Sequence, residues 1–185
     1  AVSSPIPILV YSFFIKYFNN DSVLLIYLFQ MILGLISVYF FYMLALNIIK
    51  IKSLALFSSF LWGTYFPAIS LERYLLGEPI ATYLLIIGIY YFSEAFKTRY
   101  ILFWILSGVL IGLSALSRSP LVYFPFLLIP LVGIYSQSNF KLGINFLFFL
   151  CSFIIVLFPW ALKNKKDFGS YKAGTTLNGY NLYRF

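Results

Sequence analysis

Histidine is absent from the 185 residues, cysteine occurs once, and charged residues make up only 10% of the chain. The first absence removes histidine acid–base catalysis and histidine metal ligation from this segment. The second removes any internal disulfide; Cys151 lies in an apolar run, where a thiol packs as a small hydrophobe. The third removes the means of staying in water, since 62% of the residues are hydrophobic. A membrane barrel would alternate apolar and polar residues, and stretches such as Val23 to Leu46 do not. Membrane helices remain, because in lipid every backbone amide must find its partner within its own segment.

The pattern predicts an all-α, polytopic transmembrane helical bundle. An N-terminal segment over 4–18 carries two prolines and an aromatic, apolar run with Lys16, too short to span and suited to lie in the interface. About six membrane helices are expected within 22–162, each near the ~20 residues that a crossing needs. They run over Ser22–Asn47, Ser53–Ser70, Pro79–Phe96, Tyr100–Ser117, Pro120–Tyr135, and from after Lys141 to Leu162. The abruptly polar remainder, Lys163–Phe185, reads as an outer loop. The whole, 1–185, reads as an internal piece of one longer transmembrane domain.

The net charge is +8. The cations sit at helix ends, where anionic lipid headgroups or a phosphorylated lipid substrate fit better than nucleic acid. Helix alternation places Lys50, Lys52, Lys97, Arg99 and Lys141 on one side. Lys16, Arg73, Arg118 and the basic tail fall on the other. Counting short loops alone makes the first side cytoplasmic, and adding the tail reverses the count, so charge bias does not fix the orientation.

Few residues could carry chemistry. Glu78-Pro79 opens a helix, where proline suits the first position and a carboxylate favours the dipole; the same carboxylate could orient or deprotonate a hydroxyl. Arg118 is either a snorkelling anchor or a planar clamp for two phosphate oxygens. Glu72 either pairs with Arg73 or joins Glu78, and the lysines of Lys163-Asn164-Lys165-Lys166 either anchor the last helix or bind an anion. Glu72, Glu78, Arg118 and the tail lysines share one membrane face if about six helices alternate. Carboxylates facing cations are what transfer from a phosphate leaving group requires.

The motifs follow an order. A proline-containing segment ends in Phe18-Asn19-Asn20-Asp21-Ser22, and a long helix follows. Then come Gly77-Glu78-Pro79, Leu116-Ser117-Arg118-Ser119-Pro120, Phe158-Pro159-Trp160-Ala161-Leu162-Lys163-Asn164, Phe168-Gly169 and Asn178-Gly179-Tyr180-Asn181-Leu182-Tyr183. This order resembles the bacterial membrane glycosyltransferases related to protein O-mannosyltransferases and to the aminoarabinose transferase that modifies lipid A, from about Ser4 to Tyr183. The resemblance implies the C-type glycosyltransferase fold and a polyprenyl-phosphate-linked sugar donor. It implies transfer to a lipid, glycan or protein acceptor at the outer face of the cytoplasmic membrane. The family's main acidic residue would lie upstream of Ala1, with Glu78 in a supporting role at the second acidic position and the piece expected to be inactive alone. Arg118 matches the arginine of the family's Leu-Thr-Arg-Pro, with Ser117 for threonine and Ser119 inserted. Lys163-Asn164 match the end of Pro-Trp-x-x-Arg-Asn, with lysine in place of arginine and its fork lost. Arg118, Lys163 and Lys166 are then expected on the lipid phosphate, and Asn164, Tyr180 and Asn181 around the outer cavity. A divalent metal is left open, with no ligand set assigned. Two other classes stay in view: a transporter or flippase of a lipid-linked substrate, which would place polar residues on broken helices near the midplane, and a noncatalytic membrane subunit.

Overall fold

The computed structural model describes residues 4–72, 76–136, 140–169 and 171. Among them the chain is built from eight α-helices: α1 (Pro5–Phe18), α2 (Ser22–Ile49), α3 (Lys52–Gly63), α4 (Phe66–Glu72), α5 (Gly77–Thr98), α6 (Ile101–Ser117), α7 (Phe124–Ser136) and α8 (Phe140–Phe168). Short 3-10 segments cover Asn19–Asp21 and Ser119–Tyr123. The expected all-α membrane bundle is what forms. Three stretches are long and apolar enough to cross a bilayer, Ser22–Ile49, Gly77–Thr98 and Lys141–Asp167. Pro5–Phe18, Ile101–Ser117 and Ser119–Ile134 are shorter apolar helices. At ~1.5 Å per residue the 17 residues of α6 reach about 26 Å, just short of a ~30 Å hydrocarbon core.

Three boundaries differ most from the sequence expectation, one of them the start of α7 at Phe124 instead of Pro120. The helix expected over Ser53–Ser70 is broken at Thr64–Tyr65 into α3 and α4. Pro67 has no N–H, and its ring would collide with the Gly63 carbonyl in a continuous helix. The chain therefore stops α3 and restarts with Pro67 in the first turn of α4, where a missing donor costs nothing. Thr64 closes α3 by donating both its N–H (2.9 Å) and its hydroxyl (2.8 Å) to Phe60 O. The last helix runs past Leu162 to Phe168, so Lys163–Asp167 are helical. Lysines complement the dipole in its last turn. Gly169 ends it at φ 71°, donating its N–H to Lys165 O at 2.8 Å.

α6 is the central helix. It packs antiparallel on α5 and parallel to α8, and small residues make both contacts close. A Cβ on Gly88 would lie 2.6 Å from Ile111 Cγ1. One on Gly108 would lie 2.0 Å from Ser152 Oγ and 2.4 Å from Phe149 O, and one on Gly112 3.0 Å from Val156 Cβ. Gly108 and Gly112 stand four apart on one face, the small-residue spacing that lets membrane helices touch through their backbones. Ser107 Oγ donates to Gly88 O at 2.9 Å and Ser114 Oγ to Ala81 O at 2.6 Å, so α6 is also hydrogen-bonded to α5. Around this seam Phe92, Trp104, Phe146 and Phe149 form a buried aromatic cluster.

The other helices dress this three-helix spine. α2 runs parallel to α5, with Phe40 against Tyr90 and Asn47 Nδ2 donating to Glu94 Oε1 at 2.6 Å. α3 returns along α2, stacking Trp62 on Phe41. α7 lies against α8. α1 folds back along α2, Phe14 meeting Phe29, and its first turn reaches α5 and α6.

Candidate functional site

The spine brings the start of α5, the end of α6 and the end of α8 to one end of the bundle. Gly77 is the joint. A Cβ there would lie 2.8 Å from Ser117 O and 2.7 Å from Pro7 Cγ. Only glycine admits both neighbours, so the backbones of α5 and α6 meet where Glu78 follows one contact residue and Arg118 the other. The α6–α8 register extends the grouping. Gly108 faces Ser152 and Gly112 faces Val156; continued to the end of α6, this pairing sets Ser117 level with Ala161, about one turn before Asn164.

Local sequence explains each placement. Pro79 supports the first turn of α5 and leaves Glu78 half-buried there. Arg118 leaves the helical region at φ −145°, ψ 112°, while its N–H still bonds Ser114 O at 3.0 Å. Its side chain is exposed and Ser119 beside it is buried. The inserted serine is accommodated by the 3-10 segment Ser119–Tyr123, so the next α-helix begins at Phe124 instead of Pro120. On α8, Asn164 is 1% exposed and turned into the bundle, whereas Lys163 and Lys166 face outward. Lys163 lies over the Trp160 ring, 4.7 Å from its centroid. Lys165 contacts the Tyr171 hydroxyl. Glu72 is the last residue of α4; its side chain, and all of Tyr180 and Asn181, lie outside the described residues.

A hydrogen-bonded relay underlies Glu78, and the sequence reading missed it. Gln30 of α2, 0% exposed, donates from Nε2 to the Tyr11 hydroxyl at 2.7 Å, and that hydroxyl donates to Leu76 O at 2.8 Å. Three chain segments are thereby tied together just before Glu78. Burial pushes the Tyr11 phenol up to about 12; the Gln30 hydrogen bond opposes this and the Glu78 charge adds to it. Tyr11 is thus a neutral donor at any ordinary pH, and Glu78 is its electrostatic neighbour. The signal available in the sequence was Gln30 itself, an amide inside a long apolar run. Among the described residues, no group of three or more His, Cys, Asp or Glu could hold a metal ion.

A carboxylate, an exposed guanidinium and outward-facing lysines at one end of a helical bundle can activate a hydroxyl and hold a phosphate. A family model for dolichyl-phosphate-mannose-protein mannosyltransferase matches residues 3–162. The chain belongs to this mannosyltransferase family. With membership comes the general character of a membrane glycosyltransferase of the C-type class. No curated protein and no solved structure matches the chain. The mannosyltransferase match contains Tyr11, Gln30, Glu78 and Arg118 and ends one residue before Lys163.

Proposed function

We propose that the chain transfers a sugar from a polyprenyl-phosphate donor to a lipid, glycan or protein acceptor, at the outer face of the cytoplasmic membrane. The observation that supports this reading is the Gly77–Ser117 contact: Glu78 follows one contact residue and Arg118 the other, although 40 residues separate them in sequence. Glu78 assists, orienting the acceptor or a metal in support of the main acidic residue that the family resemblance places upstream. Arg118 and the exposed Lys163 and Lys166 stabilise charge that develops on the departing lipid phosphate. Glu72, Tyr180 and Asn181 complete the acceptor side, and Asn164 fixes the last turns of α8. Placing this end outside gives the cations there a ligand and leaves Lys50, Lys52, Lys97, Arg99 and Lys141 in the cytoplasm.

The test is transfer from a synthetic polyprenyl-phosphate sugar by the purified full-length protein. Glu78→Gln keeps the shape and removes the negative charge; it should abolish transfer at wild-type membrane expression. Arg118→Ala should weaken donor binding more than Arg118→Lys does. Normal turnover in Glu78→Gln removes that residue from the mechanism, and equal donor affinity in all three proteins leaves Arg118 an anchor. The break at Thr64–Tyr65 is a feature that a transporter would share. Translocation of the donor without any transfer would favour that reading.

A further inference from the structure

At the opposite end of the bundle the ends of α2 and α5 and the start of α8 meet α7 around a groove of about 730 Å³. Its volume falls in the range of roughly 300–1,000 Å³ typical of ligand sites. The walls are apolar, with Leu44 and Ile48 from α2, Ile89 and Phe92 from α5, and Leu128 and Leu131 from α7. Its rim carries Lys97 and Arg99. A second recess of about 380 Å³ shares Arg99 and adds Lys141 and Asn145 of α8.

Arg99 is held in place between the two. It caps α5 in the left-handed region at φ 59°, its N–H bonding Ala95 O at 2.9 Å. Its carbonyl accepts from Asn145 Nδ2 at 3.3 Å, which ties it to α8 one turn beyond Lys141. Glycine would adopt this φ without strain, yet the position carries a guanidinium. The carboxylate that faces this end, Glu94, is already engaged by Asn47 at 2.6 Å and by Lys97 at 3.4 Å. Among the described residues no carboxylate pairs with Arg99 or Lys141. Two cations at a bilayer interface therefore flank a recess and adjoin an apolar groove.

We propose that this end binds one anionic phospholipid, its phosphate on Arg99 and Lys141 and an acyl chain in the groove. Charge complementarity selects an anion, and basic pockets between membrane helices suit phosphorylated headgroups. The apolar walls select a lipid over a water-soluble phosphate, which would occupy the small recess and leave the larger groove without a match. The site stands at the other end from Glu78 and is independent of the transfer reaction.

The test uses the chain in phosphatidylcholine nanodiscs doped with phosphatidylglycerol, with retained lipids counted by native mass spectrometry. One phosphatidylglycerol per chain is expected. Arg99→Gln/Lys141→Gln should lower its retention about thirty-fold, from the usual contribution of two interfacial cations. Lys16→Gln, at the Glu78 end, should leave it unchanged. Ser93→Trp, which fills the groove with both cations present, should also lower retention. Equal retention in the double variant overturns the proposal, as does displacement by millimolar inorganic phosphate. So does absence of bound phosphatidylglycerol from folded wild-type protein, the result expected if a second copy or another segment covers the groove. If the double variant does not fold, Lys141→Gln and Ser93→Trp decide by the same readout.

Discussion

Gly108→Ala probes the contact on which the bundle is centred. The added methyl would sit 2.4 Å from Phe149 O and 2.0 Å from Ser152 Oγ. The hydroxyl can rotate away; the carbonyl belongs to α8's backbone and cannot. Ordinary contact begins near 3.4 Å, so α6 and α8 must part locally by about 1 Å. That strain costs about 1–3 kcal/mol. Parting the helices also loosens the neighbouring Gly112–Val156 contact. Against this stands a gain of about 1 kcal/mol from replacing glycine by alanine inside a helix. A net loss of about 1 kcal/mol follows from the middle of that range. Gly133 in α7 has nothing within 4 Å of its Cβ position, so Gly133→Ala keeps only the gain and should be neutral or stabilising by up to about 1 kcal/mol. Reversible unfolding in mixed micelles titrated with sodium dodecyl sulfate measures both. Adding Ser152→Ala to Gly108→Ala should restore only part of the loss, because the carbonyl remains. If Gly108→Ala unfolds with wild-type or Gly133→Ala, the backbone approach of α6 and α8 does not hold the bundle together.

Two further outcomes follow from the Glu78 end. Tyr11→Phe strands the Gln30 amide and should destabilise the fold by about 1–3 kcal/mol at neutral pH. Because folding raises the Tyr11 pKa from 10.0 to about 12, its contribution is complete below pH 10 and is lost as pH rises towards 12, where the unfolded phenol ionises first. The stability gap between wild type and Tyr11→Phe should accordingly narrow over that window, and a gap independent of pH would contradict the buried, protonated phenol. Gly77→Ala drives a methyl into Pro7 and Ser117 O; sugar transfer should fall while membrane insertion and expression persist, and unchanged transfer would show that the joint does not position Glu78.

Hydropathy alone made the bundle legible, because lipid forces long apolar runs into helices whatever their neighbours. The ends were less so. Pro67 stood in the sequence as a warning, but an apolar stretch around it read as one span. Lys163–Asp167 looked like a loop because they are polar, although lysines extend a helix readily and Phe168-Gly169 supplied the stop. Glu78 and Arg118 were found because charge is scarce in such a chain and its position is informative. Tyr11 and Gln30 were not, since their role depends on α1 folding back along α2, a long-range contact that no local pattern records. The glycines of α6 announce a close helix contact by their spacing, but not that the partner is α8 and not α7.

That last pairing bears on how the protein is made. The glycine-lined face of α6 waits for Ser152 and Val156, which leave the ribosome about forty residues later, or on the order of several seconds at ordinary rates of synthesis. During that interval the central helix has α5 for company, joined by the Ser107 and Ser114 hydroxyls. α7 is born in between and is passed over. The order of the helices along the chain thus differs from their order in the packing, and the pair of α5 and α6 offers the surface against which α8 lies.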